Sequence, residues 1–115
     1  MGSTIFSKII NKEIPADIVY ESNDILAFRD INPQAPVHIL IIPKIEIPKI
    51  SDVNSAEHGI IIAKMIDVAN ELAIKENISD DGFRLVFNCG KNGGQEVYHL
   101  HLHLLGGRQM KWPPG

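Results

Sequence analysis

A single cysteine, Cys89, stands in a chain of 115 residues, so neither a disulfide framework nor an all-cysteine zinc site can be built from it. Excess charge of one sign is also lacking. Eleven basic residues against fourteen acidic ones leave a formal net charge of −3 with histidine neutral. That balance excludes a nucleic-acid coat protein and a polybasic membrane binder. It leaves room for a small phosphorylated ligand held by a local site. Long apolar runs are missing too: the longest, 39–43 and 60–63, fall far short of a membrane span. Met1 to Phe6 show no basic region followed by a long apolar core, and Phe6 stands where a myristoylation signal needs Ser or Thr. The Asn77-Ile78-Ser79 sequon lacks the signal peptide that would give it meaning. These absences lead us to expect a cytoplasmic protein with neither nucleic acid nor membrane as partner.

What is present is the makeup of a folded domain. Apolar residues make up 44% of the chain and charged residues 22%, which separates it from disordered sequences. One domain over residues 1–115 is expected, burying roughly two-thirds of its unfolded surface. Residues 4–12 pattern as a short helix with Ile5, Phe6, Ile9 and Ile10 on one side, stopped by Glu13-Ile14-Pro15. Residues 18–21 and 25–29 read as a hairpin around Ser22-Asn23-Asp24, and 37–42 as a third strand closed by Pro43. A long helix is expected over 55–76, with Asn54 and Glu57 at capping-box spacing and Asn77 as its left-handed terminator. Its apolar face runs through Ile61, Met65, Val68 and Leu72, and Lys64, Asp67, Glu71 and Lys75 lie opposite. Residues 83–88 and 99–105 complete five strands. The pattern is α+β, an antiparallel sheet covered by one long helix, with a short helix at the N-terminus.

The chemistry concentrates in His99-Leu100-His101-Leu102-His103-Leu104-Leu105. On a helix the three rings would diverge. On a strand, alternate positions share one face, so the leucines bury and the imidazoles stand in a row about 7 Å apart. Three of the chain's five histidines in strict alternation argue against a chance polar face. Two readings remain open on the residues alone. One is a metal site, for which His38 would supply a further ligand. The other is nucleophilic catalysis by one imidazole, with its neighbours orienting, protonating and binding an anion. The glycine-rich connection 88–95 favours the second, since such loops expose backbone N–H groups to phosphate. It is not a Walker loop. Cys89 is expected at a strand end, and His58 and Lys91 in solvent.

His-Leu-His-Leu-His-Leu-Leu matches the histidine triad signature. Together with 4–10, 28–36, His38, 93–95, 106–110 and Trp112-Pro113-Pro114-Gly115, it resembles the Hint branch of that family (histidine triad nucleotide-binding proteins). The resemblance covers nearly the whole chain. It implies a HIT-like fold and a homodimer with one continuous sheet. The implied activity is hydrolysis of purine nucleoside phosphoramidates, such as AMP joined to an amine, with no metal or other cofactor. By the same resemblance His101 is the nucleophile, His103 lies at the phosphate and leaving group, and His99 and His38 support them. Asp30 would hold the ribose hydroxyls, with Ile5, Phe6, Phe28 and Ile31 around the base. Asn88, Gly94, Gln95, Glu96 and Val97 would line the phosphate. Trp112 would shape the leaving-group side, reaching the partner subunit's site. Glu96 departs from relatives that carry Ser, and Glu46 from those with another histidine; Glu46 is given no catalytic role. A non-catalytic nucleotide- or partner-binding module of the same fold is the alternative.

Overall fold

The computed structural model describes residues 3–115. Met1 and Gly2, at the start of the segment read above for targeting signals, lie outside the described residues. The elements follow the order α1 (Ile5–Ile10), β1 (Ile18–Glu21), β2 (Ile25–Arg29), β3 (Val37–Pro43), a 3-10 turn (Ile50–Asp52), α2 (Ser55–Lys75), β4 (Phe83–Val86) and β5 (Leu102–Gly106). The strands form one sheet in the order β1-β2-β3-β5-β4, with every pairing antiparallel. Among the described residues no helix is long and apolar enough to cross a membrane.

The central strands are covered on both faces, and the period of two sorts their side chains. Ile25, Ala27, Val37, Ile39, Ile41, Leu102 and Leu104 meet Met65, Val68, Ala69 and Leu72 of α2 in one cluster. Leu26, Phe28, Leu40 and Ile42 meet Phe6 and Ile9 of α1 in another. Each fully buried leucine or isoleucine contributes about 1.5–3 kcal/mol relative to exposure, which fixes the register.

Helix ends follow local chemistry with one surprise. Thr4 and Ser7 cap α1 reciprocally. At α2, Asn54 Oδ1 accepts from the amides of Ala56 and Glu57, but Glu57 does not complete a capping box. His58 does that work instead: its Nδ1 accepts the Asn54 N–H at 3.0 Å. The expectation that His58 is solvated is therefore wrong; its side chain is only 14% exposed. Asn77 takes the left-handed conformation expected of it, with φ of 61°. Beside it, Arg29 at the end of β2 holds Glu76 through two bonds of 3.0 and 2.9 Å, tying the last turn of α2 to the sheet.

Two strands are shorter than the sequence pattern predicts. β4 ends at Val86, which leaves Phe87, Asn88 and Cys89 in the following loop; Cys89 is not at a strand end. β5 starts at Leu102, so of the triad only His103 lies inside a strand. The reason is Pro43. Its ring carries no N–H for the ladder, so pairing with β3 stops one step earlier, at Ile41 and Leu102. The amide of Leu100 bonds to Ile47 O at 2.7 Å instead. The alternation survives in this lead-in outside the ladder: Leu100 buries with Leu102 and Leu104, and His99 and His101 turn to the other side.

Candidate active site

The sheet brings three of the predicted residues together. In β3, His38 follows the same side as Leu40 and Ile42, at the end where α1 no longer covers the face. In β5, His103 lies opposite Leu40 and Leu105 opposite His38, so the two histidines are diagonal neighbours. Asp30 leaves β2 alongside them. Its amide donates to His38 O at 3.0 Å, its Oδ1 accepts from Asn32 N at 2.8 Å, and its Oδ2 lies 3.5 Å from His38 Nε2.

The hydrogen-bond partners fix which nitrogen of each ring carries a proton. His38 Nδ1 accepts the Gln34 backbone N–H at 3.0 Å, so its proton sits on Nε2. That N–H donates to His103 Nδ1 at 2.9 Å, which places the proton of His103 on Nε2. His103 Nε2 is buried and has no hydrogen-bond partner among the described residues. Leaving such a donor unpaired costs about 1–3 kcal/mol, a debt that a ligand atom can cancel. His101 is wired the other way round. Its Nδ1 lies 2.8 Å from His99 O, which only accepts, so the ring donates there and keeps a lone pair on Nε2. His99 donates its Nε2–H to Pro43 O at 2.7 Å.

Burial holds all four rings below the usual imidazole pKa. For His103 burial, with His101 and His38 adding to it, brings the value to about 4. Burial lowers His38 and His101 as well, opposed by the Asp30 carboxylate. It lowers His99 against the bond to Pro43 O. The site at neutral pH is a set of uncharged imidazoles, one offering a lone pair and its neighbour an N–H. Their ring centroids are 5.0 Å apart.

Around this pair the other predicted residues separate. Phe6 stands edge-on to His101 at 5.0 Å, to His99 at 6.4 Å and to Phe28 at 5.4 Å, forming an apolar wall that Val97 joins. Ile5 is half exposed, and Ile31 is 96% exposed beside Asp30. In the loop before the triad, Gln95 is buried with its side chain fully engaged. Its Oε1 accepts from Gly90 N, and its Nε2 donates to Pro48 O and Val97 O. Gln95 therefore shapes the loop and has no side-chain donor left for phosphate. Gly93 has no room for a side chain, since a Cβ would fall 2.4 Å from Cys89 O. Asn88 is half-buried; Gly94, Glu96 and Lys91 are exposed, and Glu96 has no ion-pair partner among the described residues. Trp112 is 82% exposed and is not brought to the histidines of its own chain. Arg84 of edge strand β4 holds the neighbouring Lys111 O at 3.0 Å. A separate cleft of about 570 Å³ lies between the end of α2 and this tail, lined by Asp81, Arg84 and Arg108 among others and by none of the triad.

Sequence reasoning missed the groups that set the tautomers: the Gln34 amide and the carbonyls of His99 and Pro43. They belong to the backbone, so no side-chain signal marks them.

One donor atom each from Asp30, His38 and His103 lies within 4.8 Å of the others, close enough for one metal ion. The wiring does not fit one. The His38 Nε2 that would face an ion carries a proton and spends it on His103 Nδ1.

A family model described as the HIT domain matches residues 11–110. The purine nucleoside phosphoramidase of Escherichia coli K12 is 60% identical over 107 residues, covering 93% of this chain and 89% of that one. A maize protein named 14 kDa zinc-binding protein is 55% identical over 114 residues, covering 97% and 88%. The crystal structure of a HIT family hydrolase from Legionella pneumophila superposes with a TM-score of 0.96 at 57% identity, covering 98% of this chain and all of the other.

Proposed function

The chain belongs to the histidine triad (HIT) family, and on that premise we propose that it hydrolyses purine nucleoside 5′-phosphoramidates through a nucleotidyl-histidine. The observation that carries this reading is the opposite wiring of two adjacent rings. His101 Nε2 attacks phosphorus while the P–N bond breaks. The electron pair of that bond goes to nitrogen, which takes a proton from His103 Nε2 and departs as the amine. Water then attacks the phosphorus of nucleotidyl-His101 and gives its proton to His103, releasing AMP. An amine leaves badly without that proton, so a lone pair and an N–H on adjacent rings suit this bond.

The same reading gives the surrounding residues their tasks. Asp30 accepts the ribose hydroxyls, and Phe6 and Phe28, with Ile5 and Ile31 at the rim, meet the base. Asn88, Gly94, Glu96, Val97 and the backbone of Gln95 border the phosphate. His99 and His38 hold the two reacting rings in register. The protein acts as one domain over residues 1–115, in the cytoplasm and as a homodimer. The exposed tail carries Trp112 to the leaving-group side of the partner's site.

The test is incubation with an adenosine phosphoramidate of a simple alkylamine. Free AMP and amine in equal amounts, with a transient AMP adduct on His101 in mass spectra, are expected. Tight AMP binding without turnover would replace this reading with a binding module, and an adduct on His103 would reverse the assigned roles.

A further inference from the structure

The free site is one proton short of the reaction it is read to perform. If neutral His103 gave up its Nε2 proton, the ring would become an anion unless Nδ1 already held a second proton. In the wiring described above, Nδ1 cannot take one, because the His38 Nε2–H points at it from 2.9 Å. Nor can His38 Nδ1, which faces the Gln34 N–H. Some group must draw the His38 proton aside.

Asp30 is placed to do so. Its Oδ1 is held by the Asn32 amide, which leaves Oδ2 turned toward His38 Nε2 at 3.5 Å. A donor atom of His103 falls within the same 4.8 Å cluster. We propose that Asp30 is a positioning residue for proton delivery as well as a sugar contact: it takes over the His38 Nε2–H bond and so frees His103 Nδ1 to hold the second proton. This inference rests on the phosphoramidase reading.

In the loaded state, the His38 ring turns its Nε2–H from His103 to Asp30, a proton from solvent then sits on His103 Nδ1, and the anionic phosphoryl group of the substrate balances the imidazolium. His103 Nε2–H then passes to the amine nitrogen as the P–N bond breaks, and His103 is left neutral with its proton on Nδ1. The water of the second step returns a proton to Nε2, and the cycle closes. The groups facing His38 are Asp30 from the end of β2, His103 from β5 and the Gln34 amide; His101 lies behind His103. Asp30 is also the carboxylate whose field opposes burial at His38, His101 and His103 alike.

The experiment compares Asp30→Asn with wild type on two substrates sharing one nucleoside: an adenosine alkylphosphoramidate and the p-nitrophenyl ester of AMP. The ester's leaving group needs no proton, and any loss of sugar binding is common to both. The amidate kcat/KM should fall about 100-fold further than that of the ester, the scale of one general acid. Asp30→Glu, which keeps the carboxylate, should recover part of that ratio. In pH profiles on the amidate, the alkaline fall of Asp30→Asn should start about one unit below that of wild type. Equal losses on both substrates, or an unmoved profile, would overturn the proposal. Failure of the wild type to release AMP from the amidate would instead overturn the phosphoramidase reading.

Discussion

His101 and His103 are the same side chain two positions apart, with ring centroids 5.0 Å apart, and they carry their protons on opposite nitrogens. The difference lies in the other nitrogen of each ring: a carbonyl fixes His101 as a donor at Nδ1, and an imidazole N–H fixes His103 as an acceptor there. Identity alone therefore does not decide which ring offers a lone pair; the bond behind the ring does. His101→Ala removes the lone pair and keeps the apolar wall of Phe6 and Phe28. AMP affinity should stay within about tenfold of wild type in calorimetric titration, while turnover falls by on the order of 10³ or more. Loss of AMP binding in a folded variant would mean that the ring builds the pocket rather than attacks.

Among the elements, β5 shows how closely packing limits the strand that carries His103. It ends at Gly106, where a Cβ would come within 2.5 Å of Ile78 Cδ1 and 3.0 Å of its Cβ. Ile78 is buried beneath the turn that follows α2, so it has little room to retreat. Gly106→Ala should cost about 1–3 kcal/mol, seen as a lower urea midpoint with an unchanged slope. An unchanged midpoint would show that the turn yields. The alternation of leucine and histidine made the two faces of this segment legible in the sequence, because side-chain direction is set by a period of two. The start of β5 was not legible. It depends on Pro43, far away in the chain and made a neighbour by the sheet. His58 was misread for a related reason: its task is a backbone bond to Asn54, and a polar residue on the first turn of a helix otherwise reads as solvated. Gln95 matched a phosphate-lining pattern, yet its side chain is consumed in holding the loop. Phe6 and Asp30 join the triad only through tertiary contacts, so resemblance named them where periodicity had no purchase.

For the molecule as a whole, four buried imidazoles couple folding to pH. Each binds a proton more weakly when folded than in the unfolded chain, where the value is near 6.5. Their contribution to stability is thus fully present above about pH 6.5 and drains away as pH falls toward the folded value, about 4 for His103. Glu21, held near 2 by Lys12 and Lys44, acts in the same direction but only at lower pH. Urea midpoints should therefore drop steadily from pH 7 to pH 4.5, and a flat series would contradict the neutral wiring. The sheet also divides the site unequally between stronger and weaker parts of the fold. β3, which carries His38, is bonded on both sides by β2 and β5. His99 and His101 sit in a lead-in tied outside the ladder by the Leu100 amide and by ring-to-carbonyl bonds. In heavy water the amides of β3 should be among the last to exchange, and that of Leu100 should go earlier, through openings that leave the sheet standing. The proposed nucleophile, His101, would then be lost and regained many times within the lifetime of one folded molecule, and heat or denaturant would silence the protein before it unfolds.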